Sequence, residues 1–314
     1  MEAIAKGIWP TMITPYDASG KVDYKAVERM VNWYAEQGCN GIFAVCQSSE
    51  MFYLTLEERV ALARTVVDAA QGRLEVIASG HIADTVSQQV DELGAIAQTG
   101  VKAVVMVSNR LADEQENDGV WIENAQRILS ALPGILFGLY ECPYPYKRLM
   151  TDDTLKWCAQ TGRFGFLKDT CCNAEVIRHR LDVINREAAA AEKAPLGLYN
   201  ANTMTLLQSL RDGAAGFSGV MGNLHPELYV WMYQNWRSQP EKAEELQALL
   251  TLLSSLEGQG YPICAKQHMN DAHIRMTLRA RCQPDSAFGY IQRETLRQAE
   301  IAEKIARRLC GIQD

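Results

Sequence analysis

The chain has 314 residues, of which 47% are hydrophobic and 22% are charged, ordinary values for a folded globular protein. Its formal net charge is −7 and it has no run rich in lysine and arginine, which argues against a nucleic-acid partner. No stretch of 18 apolar residues occurs, so the sequence predicts no membrane span.

The N-terminus and the cysteines indicate a cytoplasmic protein. The opening MEAIAKGIWP lacks the layout of a signal peptide. The nine cysteines include no C-x-x-C pair, and Cys171 and Cys172 are adjacent, which suits neither a zinc site nor a disulfide framework. His268 and His273 are five residues apart and would not share one face of a helix. We therefore expect reduced, mostly buried cysteines and no metal site.

A repeated pattern of amphipathic helix, glycine and short apolar strand runs along the chain. It appears in segments such as AEQGCNGIFAV and AQTGVKAVVMV, with the glycine placed where a helix end favours a left-handed residue. The glycines of the pattern are Gly38, Gly72, Gly100, Gly134, Gly162 and Gly213. Strands that alternate with helices at this spacing indicate βαβ units and a parallel sheet.

Eight strands are predicted in chain order, at residues 8–13, 41–46, 75–79, 102–107, 135–140, 164–168, 196–199 and 215–220. Helices fit between them, and Thr55 with Glu58 forms a capping box at the start of the second. Eight strands over about 220 residues are typical of a (β/α)8 TIM barrel, an α/β fold. A doubly wound open sheet is the alternative, but its nucleotide-binding fingerprint is missing.

The strand signal stops after residue 237. Segments 241–257 and 285–309 have helical patterns, with Gly258 and Gly260 between them. We therefore expect a catalytic barrel over residues 1–237 and a helical C-terminal extension over residues 238–314.

The sixth strand ends in a lysine with two aromatic residues on the same predicted face. If Lys168 points into the barrel, Phe166 and Phe164 fill the layers beneath it. Burial would favour the neutral amine, the form that attacks a ketone. A lysine at a strand end more often reaches bulk water, so this pattern alone does not establish a catalytic role.

The neighbouring strands add further candidates. Tyr140 ends the fifth strand, 28 residues before Lys168, where its hydroxyl would exchange protons with a substrate; a buried core tyrosine is the alternative. Ser48 and Ser49 follow the second strand and would cradle a carboxylate, although loop serines are usually turn formers.

Weaker candidates follow other strands. Ser218 and Gly219 after the eighth strand would lie near a ligand, and His81 after the third is a site residue or an ordinary loop histidine. Glu141 and Asp169 have the opposite parity to Tyr140 and Lys168, so we expect them to support the site by hydrogen bonds.

These residues resemble the dihydrodipicolinate synthase / N-acetylneuraminate lyase family of Schiff-base pyruvate aldolases. The similarity covers residues 5 to about 225. It rests on four segments and on the interval between Tyr140 and Lys168: Ile13-Thr14-Pro15-Tyr16, Cys46-Gln47-Ser48-Ser49-Glu50, Tyr140-Glu141-Cys142-Pro143 and Phe166-Leu167-Lys168-Asp169. Gly216-Phe217-Ser218-Gly219 resembles the small-residue loop that the family has over its site.

The resemblance implies roles for several residues. Lys168 would form the Schiff base without another cofactor, Tyr140 would move protons, and Ser48 would take the place of the family's second hydroxyl residue. Ser49, Gln47, Ser218, Gly219 and His81 are the expected substrate contacts. A small 2-keto acid is the implied partner and a homotetramer, a dimer of dimers, the implied assembly.

The sequence also departs from the family pattern. Gln47 stands where the motif has its first hydroxyl and Ser49 where it has a glycine. Pro145 occupies the position of an arginine in the synthase branch, and Ser108-Asn109-Arg110-Leu111 lacks that branch's tyrosine. These differences favour a lyase or aldolase acting on a 2-keto sugar acid, with pyruvate as product or donor. A Schiff-base dehydratase, the synthase itself and a non-catalytic keto-acid-binding relative are the alternatives.

Overall fold

The computed structural model describes residues 3–313 and contains a barrel of eight parallel strands, which confirms the predicted fold class. The hydrogen-bonded order is β1-β8-β7-β6-β5-β4-β3-β2, and a parallel bridge between Thr11 and Phe43 joins the two ends. The strands are β1 Gly7–Ile8, β2 Gly41–Phe43, β3 Glu75–Ala78, β4 Ala103–Val107, β5 Phe137–Tyr140, β6 Phe164–Asp169, β7 Gly197–Asn200 and β8 Gly216–Phe217.

Helices alternate with the strands and three more follow the barrel. They are α1 Tyr24–Glu36, α2 Leu56–Ala70, α3 Val86–Ala97, α4 Asp118–Ala131, α5 Asp152–Thr161, α6 Ala174–Ala190, α7 Leu206–Arg211, α8 Pro226–Asn235, α9 Pro240–Leu253, α10 Ile263–Asp271 and α11 Tyr290–Cys310. None of the helices within residues 3–313 is both long enough and apolar enough to cross a bilayer.

Local sequence signals account for the helix ends. At α2 the Thr55 hydroxyl accepts from the Glu58 N–H at 3.2 Å, and the Thr55 N–H donates to the Glu58 carboxylate at 3.0 Å, as the predicted capping box requires. Gly162 caps α5 with a φ of +63°, a conformation that a side chain would strain. The other five glycines of the repeated pattern also have positive φ.

The first strand is shorter than predicted. Gly7 and Ile8 pair with β8, but Pro10 has no N–H to offer, and the chain then turns toward β2. The Phe43 N–H donates to Pro10 O, and the Met12 N–H donates to Phe43 O, both at 3.0 Å. Residues 9–12 therefore connect two neighbouring strands instead of extending one regular ladder.

The prediction that Phe164 lies beneath Lys168 is wrong. The register between β5 and β6 shifts, so that Phe137 pairs with Phe164 while Gly138 pairs with Phe166. Gly165 is the extra residue and forms a bulge. The bulge shifts the alternation of side chains, so the residue before it points to the opposite face of the sheet. The Phe164 ring consequently packs against Trp157 of α5, on the helix side, at 5.9 Å between ring centroids.

Phe166 does lie on the predicted inner face. Its ring stacks on Tyr199 at 4.1 Å between centroids and meets Trp9 edge-on at 5.5 Å. These aromatic rings fill the barrel in the layer below Lys168, so the barrel interior is a packed core.

The C-terminal extension is helical as predicted, with α9 followed by one turn of 3-10 helix at Ser254–Gly258, and with α11 near the end. The sequence analysis missed α10. Buried residues of the extension, among them Leu250 and Ile263, belong to the same hydrophobic cluster as the barrel core. The division at residue 237 remains a prediction.

The barrel closes where the backbone of Gly216 in β8 approaches that of Gly7 in β1, and a substitution at this contact tests the closure. A Cβ added at Gly216 would lie 1.8 Å from Gly7 O, so Gly216→Ala must displace β1 from β8. We expect it to lower the free energy of unfolding by about 3 kcal/mol or more, at the upper end of overpacking effects. Urea denaturation measures this change.

Gly94→Ala is the matched control, because an added Cβ there meets Leu132 at an ordinary 3.5 Å inside α3. We expect this variant to be neutral or slightly more stable. Equal stability of the two variants would contradict the account of the β1–β8 contact.

Candidate active site

A cavity of about 420 Å³ opens at the carboxyl ends of the strands. This is the end of a parallel barrel where loops gather polar side chains. Residues from the barrel and from the extension line it: Gln47, Ser48, Glu50, Phe52, Tyr53, Tyr140, Pro143, Tyr144, Lys147, Lys168, Thr170, Cys172, Ala201, Asn202, Gly219, Val220, Glu257, Tyr261, Pro262 and Cys282.

Lys168 reaches into this cavity from β6. Its side chain is buried, and its Nζ lies 4.4 Å from the centroid of the Tyr140 ring. Burial lowers the pKa of the amine, and the nearby thiols and Glu257 only partly oppose that effect. More of the neutral, nucleophilic form is therefore present near neutral pH than for an exposed lysine.

Tyr140 ends β5 and pairs with Lys168 in the ladder between the two strands. Its hydroxyl donates to Gln47 Oε1 at 3.3 Å, and its ring meets Phe43 edge-on. Burial raises the pKa of this hydroxyl well above its ordinary value, so it stays protonated. The arrangement sets a proton donor beside a buried amine.

Ser48 lies in the same cavity, and its hydroxyl donates to Thr11 Oγ1 at 3.2 Å. Tyr261 lines the same cavity, and its hydroxyl accepts from Asn223 Nδ2 at 3.0 Å. The sequence analysis missed Tyr261, because it lies 213 positions after Ser48 and no local pattern connects the two residues.

Two of the expected substrate contacts line the cavity and three do not. Gln47 and Gly219 line it. The Ser49 hydroxyl instead lies 2.7 Å from both Met12 O and Ala44 O, where it ties the loop after β2 to the backbone of neighbouring strands. Ser218 Oγ is buried without a hydrogen-bond partner among the described residues, and Ser218 does not line the cavity.

His81 is a buried structural residue outside the cavity lining. Its Nε2 bonds Gln89 Oε1 at 2.7 Å, and its Nδ1 accepts from the Val107 N–H at 2.9 Å. Burial lowers the pKa of the imidazole to about 4, so the ring is neutral near pH 7. Its two bonds connect the end of β4 to α3.

A buried ionic group lies behind the two key residues, at the positions of opposite parity. Arg180 of α6 contacts the carboxylates of Glu141, at 2.9 Å, and Asp169. Glu141 also accepts from the backbone N–H groups of Met150 and Thr170, at 2.7 and 2.8 Å. These contacts fix the chain after Tyr140 and Lys168, which is the supporting role predicted for Glu141 and Asp169.

Glu50 connects the loop after β2 to the extension. One of its oxygens accepts from the backbone N–H groups of Arg281 and Cys282, and the other lies 3.5 Å from Lys266 Nζ. The structure thereby places Glu257, Tyr261 and Cys282 on the cavity wall, and no sequence pattern indicated this.

Three possible metal ligands meet away from the cavity, where α8, α10 and α11 pack together. His268 Nε2 lies 2.9 Å from Glu303, and His225 Nδ1 lies 3.3 Å from it. Burial lowers the pKa of His268, but the Glu303 carboxylate outweighs burial and raises it overall. The group is a direct, buried ion pair, and we assign it to the packing of the extension.

Comparisons with known proteins agree with this geometry. The model of the Dihydrodipicolinate synthetase family matches residues 4–284. The 4-hydroxy-tetrahydrodipicolinate synthase of Thiobacillus denitrificans is 28% identical over 271 residues, 83% of this chain and 85% of that protein. The synthase of the same name from Saccharophagus degradans is 24% identical over 252 residues, 80% of this chain and 81% of that protein.

Solved structures share the fold. A dihydrodipicolinate synthase from Acinetobacter baumannii, chloride-inhibited and complexed with pyruvate, aligns with a TM-score of 0.82 and 21% identity over 99% of this chain and 100% of that one. A monomeric dihydrodipicolinate synthase variant aligns with a TM-score of 0.85 and 17% identity, over 96% of this chain and 98% of that one.

The fold and the buried lysine define a class of enzyme, the aldolase-type carbon–carbon lyases built on a TIM barrel. Within that class the chain belongs to the Dihydrodipicolinate synthetase family, which confirms the resemblance noted in the sequence. Enzymes of this family use a lysine Schiff base with pyruvate and no external cofactor.

The buried ionic group gives a prediction about stability. Arg180→Met leaves the Glu141 and Asp169 carboxylates without their cation, so we expect a loss of about 3–5 kcal/mol in the free energy of unfolding. Chemical denaturation near pH 7 measures it, with Arg186→Met as control, since Arg186 is exposed and, within residues 3–313, pairs only with its neighbour Glu187. A loss of less than about 1 kcal/mol for Arg180→Met, the range of exposed pairs, would contradict the assigned role.

Proposed function

We propose that the protein is a Schiff-base lyase or aldolase that cleaves or forms a carbon–carbon bond in a 2-keto sugar acid, with pyruvate as product or donor. The observation that carries the proposal is the buried Lys168 amine beside the Tyr140 hydroxyl in a cavity of substrate size. Ser48, Gln47 and Gly219 on the same wall are the proposed substrate contacts.

The proposed reaction begins when the neutral Lys168 amine attacks the C2 ketone. Tyr140 gives a proton to the departing hydroxyl, water leaves, and an iminium forms. The C4 hydroxyl then gives its proton to the Tyr140 phenolate, the C3–C4 bond breaks to release an aldehyde, and the iminium takes up the electron pair as an enamine. Protonation of C3 and hydrolysis release pyruvate and restore the amine.

A synthase of the lysine pathway is the second candidate, because relatives of this chain are named 4-hydroxy-tetrahydrodipicolinate synthase. The charges around the cavity favour the first. Position 145 is proline, Arg148 bonds Asp118 at 3.1 Å, and Arg110 pairs with Asp84 at 3.2 Å. Neither arginine lines the cavity, so a substrate with a second carboxylate has no guanidinium there to bind.

A dehydratase would share the iminium but would eliminate water instead of an aldehyde. Release of pyruvate from 2-keto-3-deoxy acids separates the lyase from the dehydratase, which releases none. Binding of such acids without turnover would indicate a non-catalytic relative.

We also propose a cytoplasmic homotetramer, a dimer of dimers, as the family resemblance implies. The apolar side chains that α11 exposes, Tyr290, Ile291, Ile301 and Ile305, support a buried surface in an assembly. Light scattering of the purified chain tests the stoichiometry.

Trapping the Schiff base tests the chemistry. Borohydride with pyruvate should reduce a covalent adduct onto Lys168 and inactivate the enzyme, and peptide mapping identifies the modified residue. Because burial lowers the pKa of Lys168, adduct formation should decline only as the pH falls through that lowered pKa, and should level off above it.

The matched variants are Lys168→Met, which should form no adduct, and Lys147→Met, which removes the other lysine of the cavity and should still form one. An adduct that maps to Lys147, or that persists in Lys168→Met, would overturn the assignment.

Substrate preference is tested separately. We expect cleavage of 2-keto-3-deoxy sugar acids to be faster than condensation of pyruvate with aspartate semialdehyde, by tenfold or more in kcat/KM, since one lost charge-assisted bond costs about 1.5–3 kcal/mol. A faster semialdehyde reaction would show that the lysine-pathway synthase is the correct function.

A further inference from the structure

The C-terminal extension brings one acidic side chain to the cavity that the reaction described above does not use. Glu257 belongs to the 3-10 turn Ser254–Gly258, which follows α9, and it lines the same cavity as Lys168 and Tyr140. The residue is exposed to solvent as well as lining the cavity. It is therefore within reach of a substrate that is held deeper in the barrel.

The Glu257 carboxylate and the Lys168 amine influence each other's charge. Partial burial raises the pKa of Glu257, and the amine lowers it in part. In return the carboxylate opposes the effect of burial on Lys168. Both residues line the same cavity, and among the described residues no hydrogen bond or salt bridge joins them.

The acceptor oxygens of Glu257 are available. Within residues 3–313 no hydrogen bond or salt bridge engages this carboxylate, in contrast to Glu50, whose oxygens are held by the backbone of residues 281 and 282 and by Lys266. A free carboxylate at the edge of a cavity accepts hydrogen bonds from hydroxyl or ammonium groups and repels anions.

Glu257 shares the cavity with neutral groups that can form hydrogen bonds. Asn202, Thr170, Tyr53 and Tyr144 line it. Lys147, a cation, lines it as well, and its amine donates to the Thr170 carbonyl. Neutral hydroxyl and amide groups around one carboxylate are suited to a hydroxylated chain, because each hydroxyl both donates and accepts.

We propose that Glu257 is a specificity-determining residue, which accepts a hydrogen bond from a hydroxyl of the substrate beyond its pyruvate unit. The substrate class is then a 2-keto acid with a hydroxylated, uncharged tail, and a tail that ends in a carboxylate is repelled. This inference rests on the proposed function, because Lys168 must hold the pyruvate end for the tail to reach Glu257.

The test compares two probes, 2-keto-3-deoxygluconate, which has a hydroxylated tail, and 2-keto-3-deoxyglucarate, which carries a carboxylate at the far end. Pyruvate release gives kcat/KM for each probe with the wild-type enzyme and with Glu257→Gln. We expect the wild-type enzyme to prefer the gluconate. In Glu257→Gln, kcat/KM for the gluconate should fall about tenfold or more, the effect of losing one hydrogen bond to a charged group.

The same substitution should raise kcat/KM for the glucarate, because it removes a like charge. A variant that lost activity through misfolding would lower both values, so the opposite signs distinguish specificity from damage. Glu245→Gln is the matched control: Glu245 is an exposed glutamate of α9 outside the cavity, and its replacement should change neither value.

Borohydride trapping of pyruvate keeps the two proposals separate. If Glu257→Gln still traps pyruvate on Lys168 but the ratio of the two kcat/KM values stays at the wild-type ratio, the role of Glu257 is overturned and the Schiff base stands. The role of Glu257 is also overturned, and the Schiff base still stands, if the wild-type enzyme traps pyruvate but cleaves neither probe or prefers the glucarate. If the wild-type enzyme forms no adduct on Lys168, the proposed function fails and this inference fails with it.

Discussion

The burial of the Lys168 amine is the constraint on which the arrangement of the site depends. An ammonium group is costly to bury, so the enclosed position favours the neutral amine, which lies beside the Tyr140 ring. Tyr140 thus supplies both this ring and the hydroxyl that is proposed to move protons. The charges that hold these strands in place, those of Arg180 with Glu141 and Asp169, lie on the opposite face of the strands. The positioning charges are thus separated from the amine, whose pKa they would otherwise raise.

The C-terminal extension is part of the site. Glu50, at the end of the loop after β2, holds the backbone of residues 281 and 282, and the Tyr261 hydroxyl accepts from Asn223 Nδ2. The extension therefore closes one wall of a cavity that the barrel alone leaves open. The barrel contributes the buried Lys168 amine and the Tyr140 hydroxyl to this cavity, and the extension contributes Glu257, Tyr261 and Cys282. The cavity is consequently built from two different parts of the chain.

How far the sequence predicts this structure depends on the range of the interactions. The repeated helix, glycine and strand are local patterns, and they predicted all eight strands and the common location of Lys168, Tyr140 and Ser48. The side of the sheet on which Phe164 lies was predicted wrongly, because a bulge at Gly165 reverses the alternation of side chains. A glycine in the sequence does not by itself predict a bulge. Glu257 and Tyr261 were not predicted, since they reach the cavity through packing of α9 and α10 on the barrel, which has no local signature. Ser49 shows a further limit of sequence patterns. It follows Ser48 and was predicted to contact the substrate, but its hydroxyl bonds the backbone of Met12 and Ala44.

Gln47 has a consequence for the path of protons. A hydroxyl at this position would accept a proton from Tyr140 and pass another one on, whereas an amide oxygen only accepts the hydrogen bond. The Gln47 carbonyl therefore orients the Tyr140 hydroxyl, at 3.3 Å, without continuing a relay. Because burial also keeps Tyr140 protonated, its proton has to be exchanged with groups inside the cavity. In the proposed reaction these groups are the carbinolamine, the substrate hydroxyls and water, so proton transfer would depend directly on what occupies the cavity.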